Sequence, residues 1–524
     1  MDQDAITFFL PTWNVSFPSL PEGLDFHEIM WVLEALDLND ICKGVLSSPE
    51  TARRKFYKRP GMVFCILIAF IEIVRYFWYR ICTIALNQRR HTPPSLAYTA
   101  KVSFDDHAAF VENIICDRPD IKSCIEGIFI DKPLEAITRD MLEECVLTHL
   151  AMEVRRWYPK KHHQTAERIV DRIEAKLSHR FQRSKDIRER LPGGASIAQP
   201  IPYDSHPDAF RKPYLYIGEQ KLCAYFKPLH VQMSLWMLKT LNRFFLRRWG
   251  FKWYNLGPIK IWVRSPRGKH KDALNPPLIF CPGLFLGNSA YMYFIYKGLM
   301  PLAETRPLML LELPHLSHGI DPRKIGYAFR YSWPSTDEIS DAMASFLENW
   351  PSPVDIIGNS FGTLIMTVMR REHPHLFRRY VYVDPVCFNP CYPSCVLHCA
   401  AEDMMYWTSL VRSCVTDTSR RLASRLIKYL ILRPTIFGDL QVQYVLKRGM
   451  YPHESVERGQ LGKESLVIIG SQDDLISDPS ALVTWLNKRW PATVTASVDF
   501  NHGAMMGHPA PYSKLIWQFL SEDS

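Results

Sequence analysis

From Ile259 to the C-terminus, short apolar runs alternate with segments patterned for helices, and few folds accommodate that rhythm. The runs are IKIWV, PLIFC, PLMLLEL, VDIIG, YVYVD, SLVIIG and TVTASVDF. Most are nearly continuous in Val, Ile and Leu, which marks strands buried on both faces rather than strands with one wet side. Between them lie candidate helices. One is expected near Ala290–Leu302, and another runs through Met369. A third starts at the capping-box pattern Ser335-Thr-Asp-Glu338 and carries Ile339, Met343, Phe346, Leu347 and Trp350 on one face. Strands alternating with helices imply an α/β fold, a mostly parallel sheet with helices on both faces.

The alternation is interrupted once. Residues 387–463, between YVYVD and SLVIIG, contain helical stretches such as Ala423–Leu432 and read as a cap inserted at a strand's carboxyl end. The core is therefore expected in two pieces, 255–386 and 464–524.

Within the core, Val354–Met366 reads VDIIGNSFGTLIM, a serine between two glycines where a strand meets a helix. A sharp turn there lifts the hydroxyl clear of the sheet, and strand and helix crowd each other so closely that Gly358 and Gly362 are needed. Gly358-Asn-Ser360-Phe-Gly362 resembles the nucleophile elbow of the α/β-hydrolase superfamily, and the resemblance extends from about Ile259 to the end of the chain. It implies the α/β-hydrolase fold, a nucleophilic Ser360, and an acid and a histidine downstream in that order.

The histidine is expected at His502, in the loop after TVTASVDF, with His508 as competitor deeper in the same loop. The acid should follow the preceding strand. Gly470-Ser-Gln-Asp473 is similar to the family's Gly-x-x-Asp turn, which favours Asp473; Asp474 and Asp384, at the end of YVYVD, stay as alternatives. The resemblance also implies two backbone donors for a developing oxyanion, at Phe361 and at Leu284. Cys281-Pro-Gly-Leu284 stands at the family's His-Gly position, with Pro282 in place of the histidine.

The first 250 residues lie outside the resemblance. They read as mostly helical, with segments at Met141–Met152, Ala166–Phe181 and Leu235–Trp249 and a linker near 191–196 rich in breakers. His162-His163, after two lysines, reads as a solvated loop. The most apolar stretch, 61–86, is interrupted by Glu72 and Arg75 and flanked by basic residues and aromatics. Three readings are open: a helix lying in a membrane surface, a full span, and a buried soluble helix. Leu235–Tyr254 is either a second membrane contact or a helix docked on the core.

The formal net charge of +9 is distributed in basic clusters beside apolar residues. That suits an anionic membrane surface better than nucleic acid, for which no module signature is present, so no nucleic-acid partner is expected. Thirteen scattered cysteines do not form a secreted disulfide pattern. With Asp2 and Asp4 where a signal peptide needs positive charge, an intracellular setting is expected, with membrane association as one of the open readings. Cys387, Cys391, Cys395 and Cys399 recur every fourth residue, but Pro390 and Pro393 break any helix that would align them; buried thiols are expected there, not a metal site.

Taken together, the expectation is a serine hydrolase acting on an ester, lipid-like if the N-terminal region meets a membrane, with no cofactor and no metal. The rivals are thioester or amide hydrolysis, acyl transfer or carbon–carbon cleavage by the same residues, and a catalytically silent scaffold or membrane tether.

Overall fold

The computed structural model describes residues 60–88, 104–116, 121–129, 133–151, 159–183, 226–227, 229–266, 275–284, 286–314, 334, 336–350, 353–388, 439–445, 457, 459–473, 475–476 and 478–521. The chain divides into two units, Met1–Arg89 and Arg90–Ser524.

In the first unit the apolar stretch forms one helix, α1 (Pro60–Gln88), whose Glu72 and Arg75 pair at 2.6 Å, one turn apart. Among the described residues no helix is long and apolar enough to cross a membrane.

The second unit opens with helices α2 (Phe104–Cys116), α3 (Ile121–Ile128), α4 (Arg139–Ala151) and α5 (Pro159–Leu177). They share a core that includes Ile125, Phe129, Val146, Ile169 and Ile173. Here one expectation is corrected. His162 and His163 are not in a loop: they sit in the first turn and a half of α5, with His163 exposed and His162 fully buried against the Phe104 ring, 4.5 Å between centroids. The pair of lysines before them suggested solvent, but helical geometry sends adjacent residues to different faces.

Helix α6 (Leu229–Arg248) leads into an eight-stranded sheet of β1 (Lys252–Asn255), β2 (Lys260–Arg264), β3 (Leu278–Cys281), β4 (Leu308–Glu312), β5 (Val354–Asn359), β6 (Phe377–Val383), β7 (Ser465–Gly470) and β8 (Val494–Val498), in the order β1-β2-β4-β3-β5-β6-β7-β8. The first two pairings are antiparallel and all others parallel. The sheet thus begins at Lys252, ahead of the expected start of the core. β1 exposes all four of its residues, so it lacks the apolar run by which the other strands are recognised.

Alternate residues along each inner strand feed two cores, one on each face. Ile279, Met309, Leu311 and Ile356 pack with α7 (Thr336–Leu347), α8 (Phe361–Glu372) and α10 (Pro479–Arg489). Leu278, Phe280, Leu310 and Ile357 pack on the other side with Leu246 of α6 and with α11 (Pro509–Ser521). The second face also takes residues 287–304, where one helix was expected near Ala290–Leu302. They form instead a chain of short 3₁₀, α and π turns.

Of the cap, only 387–388, 439–445, 457 and 459–463 are described, with a short helix α9 (Leu440–Tyr444). Its return is fastened to the core: the buried Glu457 accepts hydrogen bonds from Tyr382 of β6 (2.9 Å) and Arg370 of α8 (3.0 Å). Cys387 is buried, and burial pushes its thiol up to about 12, which leaves it protonated and inert. Cys391, Cys395, Cys399 and the stretch 423–432 lie outside the described residues.

Candidate active site

The strand order locates the site before any side chain is considered. After β3 the chain passes to β4 on one side, then returns to β5 on the other, so the loops leaving β3 and β5 diverge and open a crevice. Those loops are Cys281–Leu284 and Ser360–Phe361.

Ser360 stands between β5 and α8 with φ 49° and ψ −120°. A positive φ is strained for a residue with a Cβ, costing about 1–3 kcal/mol, and persists only where the surroundings over-determine it. They do so here. The Ser360 N–H donates to the Val383 carbonyl of β6 at 3.0 Å, and the Ser360 carbonyl accepts from the Thr363 N–H (2.9 Å) and hydroxyl (2.6 Å). A methyl group on Gly362 would run into the Cys281 carbonyl, and one on Gly358 would lie 2.9 Å from the Gly362 carbonyl oxygen. Both glycines are required by close approach of backbone to backbone, which keeps the elbow tight.

The carboxyl ends of β7 and β8 supply the facing groups. His502 Nε2 lies 2.8 Å from Ser360 Oγ, and His502 Nδ1 lies 2.8 Å from Asp473 Oδ2. Asp473 is fully buried at its side chain, and its other oxygen accepts the Leu475 N–H at 2.8 Å. The carboxylate therefore has a backbone anchor on one side and the imidazole on the other. His502 remains partly accessible, as does Ser360. His508, its competitor, instead stacks flat on Phe500, 5.2 Å between centroids. Asp474 lies outside the described residues.

Asp384, the rival acid after β6, does not touch the imidazole. It is buried, with φ 44°, and its Oδ2 accepts the N–H of Gly503, the residue after His502, at 2.8 Å. Its Oδ1 lies beside Gly470. Burial pushes its carboxyl up to about 6; neighbouring Asp473 pushes the same way, while His502 and the backbone N–H groups oppose.

Phe361 begins α8, so its N–H is one of the orphan donors of a helix start. Across the crevice, a methyl on Gly283 would lie 3.1 Å from Ser360 Cβ, so the loop after β3 passes beside the serine. Pro282 gives that loop no polar side chain to anchor it. Tyr291 supplies one: its hydroxyl accepts the Gly283 N–H at 3.0 Å and donates to Asn359 Oδ1 at 2.6 Å. Asn359 Nδ2 in turn donates to Val383 O at 3.2 Å, the same carbonyl that takes the Ser360 N–H. Burial raises the Tyr291 hydroxyl well above the ordinary tyrosine value, so it stays protonated and can serve as donor. With the Gly283 N–H occupied, Leu284, half-buried, carries the next donor along the loop.

Sequence reasoning missed Tyr291 and Asn359. A polar Asn359 at the end of a buried strand, directly before Ser360, was a readable signal, whereas nothing marked Tyr291. Among the described residues no group of His, Cys, Asp and Glu is placed to hold a metal ion.

No protein-family model matches the chain, and no curated protein matches its sequence. Solved structures do resemble it. A membrane phospholipase A described as a novel bacterial virulence factor is 13% identical, with a TM-score of 0.37, covering 56% of this chain and 92% of that one. Naproxen esterase from Bacillus subtilis is 13% identical at a TM-score of 0.35, covering 54% and 97%. An epoxide hydrolase from Vigna radiata is 11% identical at 0.35, covering 52% and 97%. The strand order, the antiparallel β2 and the strained elbow after β5 are those of the α/β-hydrolase fold.

Proposed function

We propose that this chain is a serine hydrolase that cleaves an ester through an acyl-enzyme intermediate. What carries the reading is one geometry: Ser360 Oγ and Asp473 Oδ2 each 2.8 Å from opposite nitrogens of the His502 ring. A serine hydroxyl attacks carbonyl carbon only when a base removes its proton, and Nε2 is within reach of that proton. Asp473 fixes the tautomer that leaves Nε2 free to accept it, and stabilises the imidazolium that forms.

In this scheme the Ser360 oxygen bonds to the carbonyl carbon as its proton passes to His502. The carbonyl oxygen becomes an oxyanion between the N–H groups of Phe361 and Leu284. Collapse expels the alcohol, which takes the proton from His502 and leaves the acyl group on Ser360. Water, deprotonated by the same ring, then releases the acid and restores the serine. An aspartate at position 360 would have favoured epoxide opening; a serine favours acyl transfer. We assign the substrate class as a lipid-like ester, on the strength of the apolar, basic-flanked helices of the N-terminal region.

Labelling with a fluorophosphonate probe tests the nucleophile. The wild-type chain should label and Ser360→Ala should not, with ester turnover down by at least ~10³-fold. Absence of labelling in folded wild type would favour the silent scaffold, and persistent labelling of the variant would move the nucleophile elsewhere.

A further inference from the structure

Helix α6 is built inside out. Its sequence, LHVQMSLWMLKTLNRFFLRR, buries Lys239, Asn242 and Leu246. Lys239 and Arg243 point at Glu312, at 4.0 and 3.7 Å. On the opposite side, Met233, Met237, Leu241 and Phe244 recur at helical spacing and are exposed, Met237 by 58% and Phe244 by 61%. A helix on the surface of a soluble domain turns its apolar stripe inward; this one turns it out, which is stable only against another apolar phase.

The charge pattern identifies that phase. The helix contains no Asp or Glu, and exposed Arg247 and Arg248 close its last turn. Exposed Trp253 of β1 follows, paired with Trp262 of the core face that also takes Leu246 of the helix. An apolar stripe, arginines at its end and an exposed tryptophan after them are what an anionic lipid interface attracts. A second copy of the chain, laid helix against helix, would offer these arginines no acidic partner, since the helix has none.

Its position matters for the site. Glu312, which receives Lys239 and Arg243, ends β4, and β4 runs parallel to β3, which ends beside Ser360. Lys239 and Arg243 therefore join the helix to the sheet at the rim that carries the candidate triad. We infer that the outward face of α6 docks on an anionic membrane surface and brings that rim to the lipid. This deepens the reading of a lipid-like ester, but the docking itself is measured without turnover and stands or falls separately.

Co-sedimentation of the full chain with vesicles provides the test, using phosphatidylcholine alone and phosphatidylcholine mixed with phosphatidylserine. The wild type should partition onto the mixed vesicles and lose binding as salt rises. Met237→Ser with Phe244→Ser, and separately Arg247→Glu with Arg248→Glu, should each lower that partition by ~10-fold or more. Circular dichroism and probe labelling identify a variant that has not folded, in which case the other pair decides. Undiminished partition of folded variants would overturn the inference, as would a wild type indifferent to anionic vesicles. A wild-type dimer, seen by light scattering, that the serine pair converts to monomer would assign the face to self-association instead.

Discussion

Helices α8 and α6 pack against the same sheet, and both carry two arginines in the last turn, yet they solve opposite problems. α8 buries every residue from Phe361 to Met369, and its first turn meets backbone so closely that a glycine is obligatory. α6 buries three residues, two of them polar, and leaves its apolar stripe outside. The contrast teaches where each helix is committed. α8 is held by contacts inside the molecule and positions Ser360, the proposed nucleophile; α6 is pinned inside through Glu312 and Leu246, and its outer face is exposed. Substitutions in α8 should therefore act on folding, and those on the outer face of α6 on partition alone.

The sharpest way to break that contrast is Gly362→Ala. The added methyl meets the Cys281 carbonyl, which belongs to a central strand and cannot give way as a flexible side chain would. Overpacking of this kind costs ~1–3 kcal/mol, and more where backbone must move. A loss of ~3 kcal/mol or more is expected in denaturant unfolding, with probe labelling lost too. A folded variant of unchanged stability would mean that the elbow is looser than drawn and that α8 is no more committed than α6.

How much of this was legible depended on whether a residue's job was local. Ser360, Asp473 and His502 each follow a strand whose pattern is plain, so their meeting at one rim follows from parallel strands ending on the same side. β1 was illegible because an exposed edge strand carries no apolar run. Tyr291 was illegible for a different reason: it lies in a string of irregular turns, and its partners Gly283 and Asn359 are reached only through the fold. Asp384 was visible as a candidate acid, but its acceptance of the Gly503 N–H required knowing where the β8 loop returns.

A smaller effect is expected at Asp384, where the rim tolerates a carboxyl pushed up to about 6 by burial. The folded state holds that proton more tightly than the unfolded chain, so the group favours folding below the ordinary aspartate range. That contribution is lost as pH rises through about 6. A shift of that size corresponds to roughly 3 kcal/mol. Asp384→Asn keeps an acceptor for the Gly503 N–H and removes the charge. Its unfolding free energy should gain on wild type between about pH 4 and pH 7, by up to ~2–3 kcal/mol. Parallel pH curves for the two proteins would show that the wild-type carboxyl stays ionised at little cost, and that the rim is less dry than its burial suggests.

The smallest effect falls on the other side of the comparison, and is the more discriminating for being small. Phe244→Ser removes a ring that is mostly in solvent, and the residues that pin α6, Lys239, Arg243 and Leu246, are untouched. Exposed substitutions away from caps, networks and cores fall within ~0.5 kcal/mol. Denaturant midpoints of wild type and variant, measured without lipid, should therefore coincide within that margin. A core phenylalanine truncated to a small side chain would cost ~3–5 kcal/mol. If Phe244→Ser approached that cost, the stripe would be covered by the protein itself, and α6 would belong with α8 as a packing helix, not apart from it as a docking one.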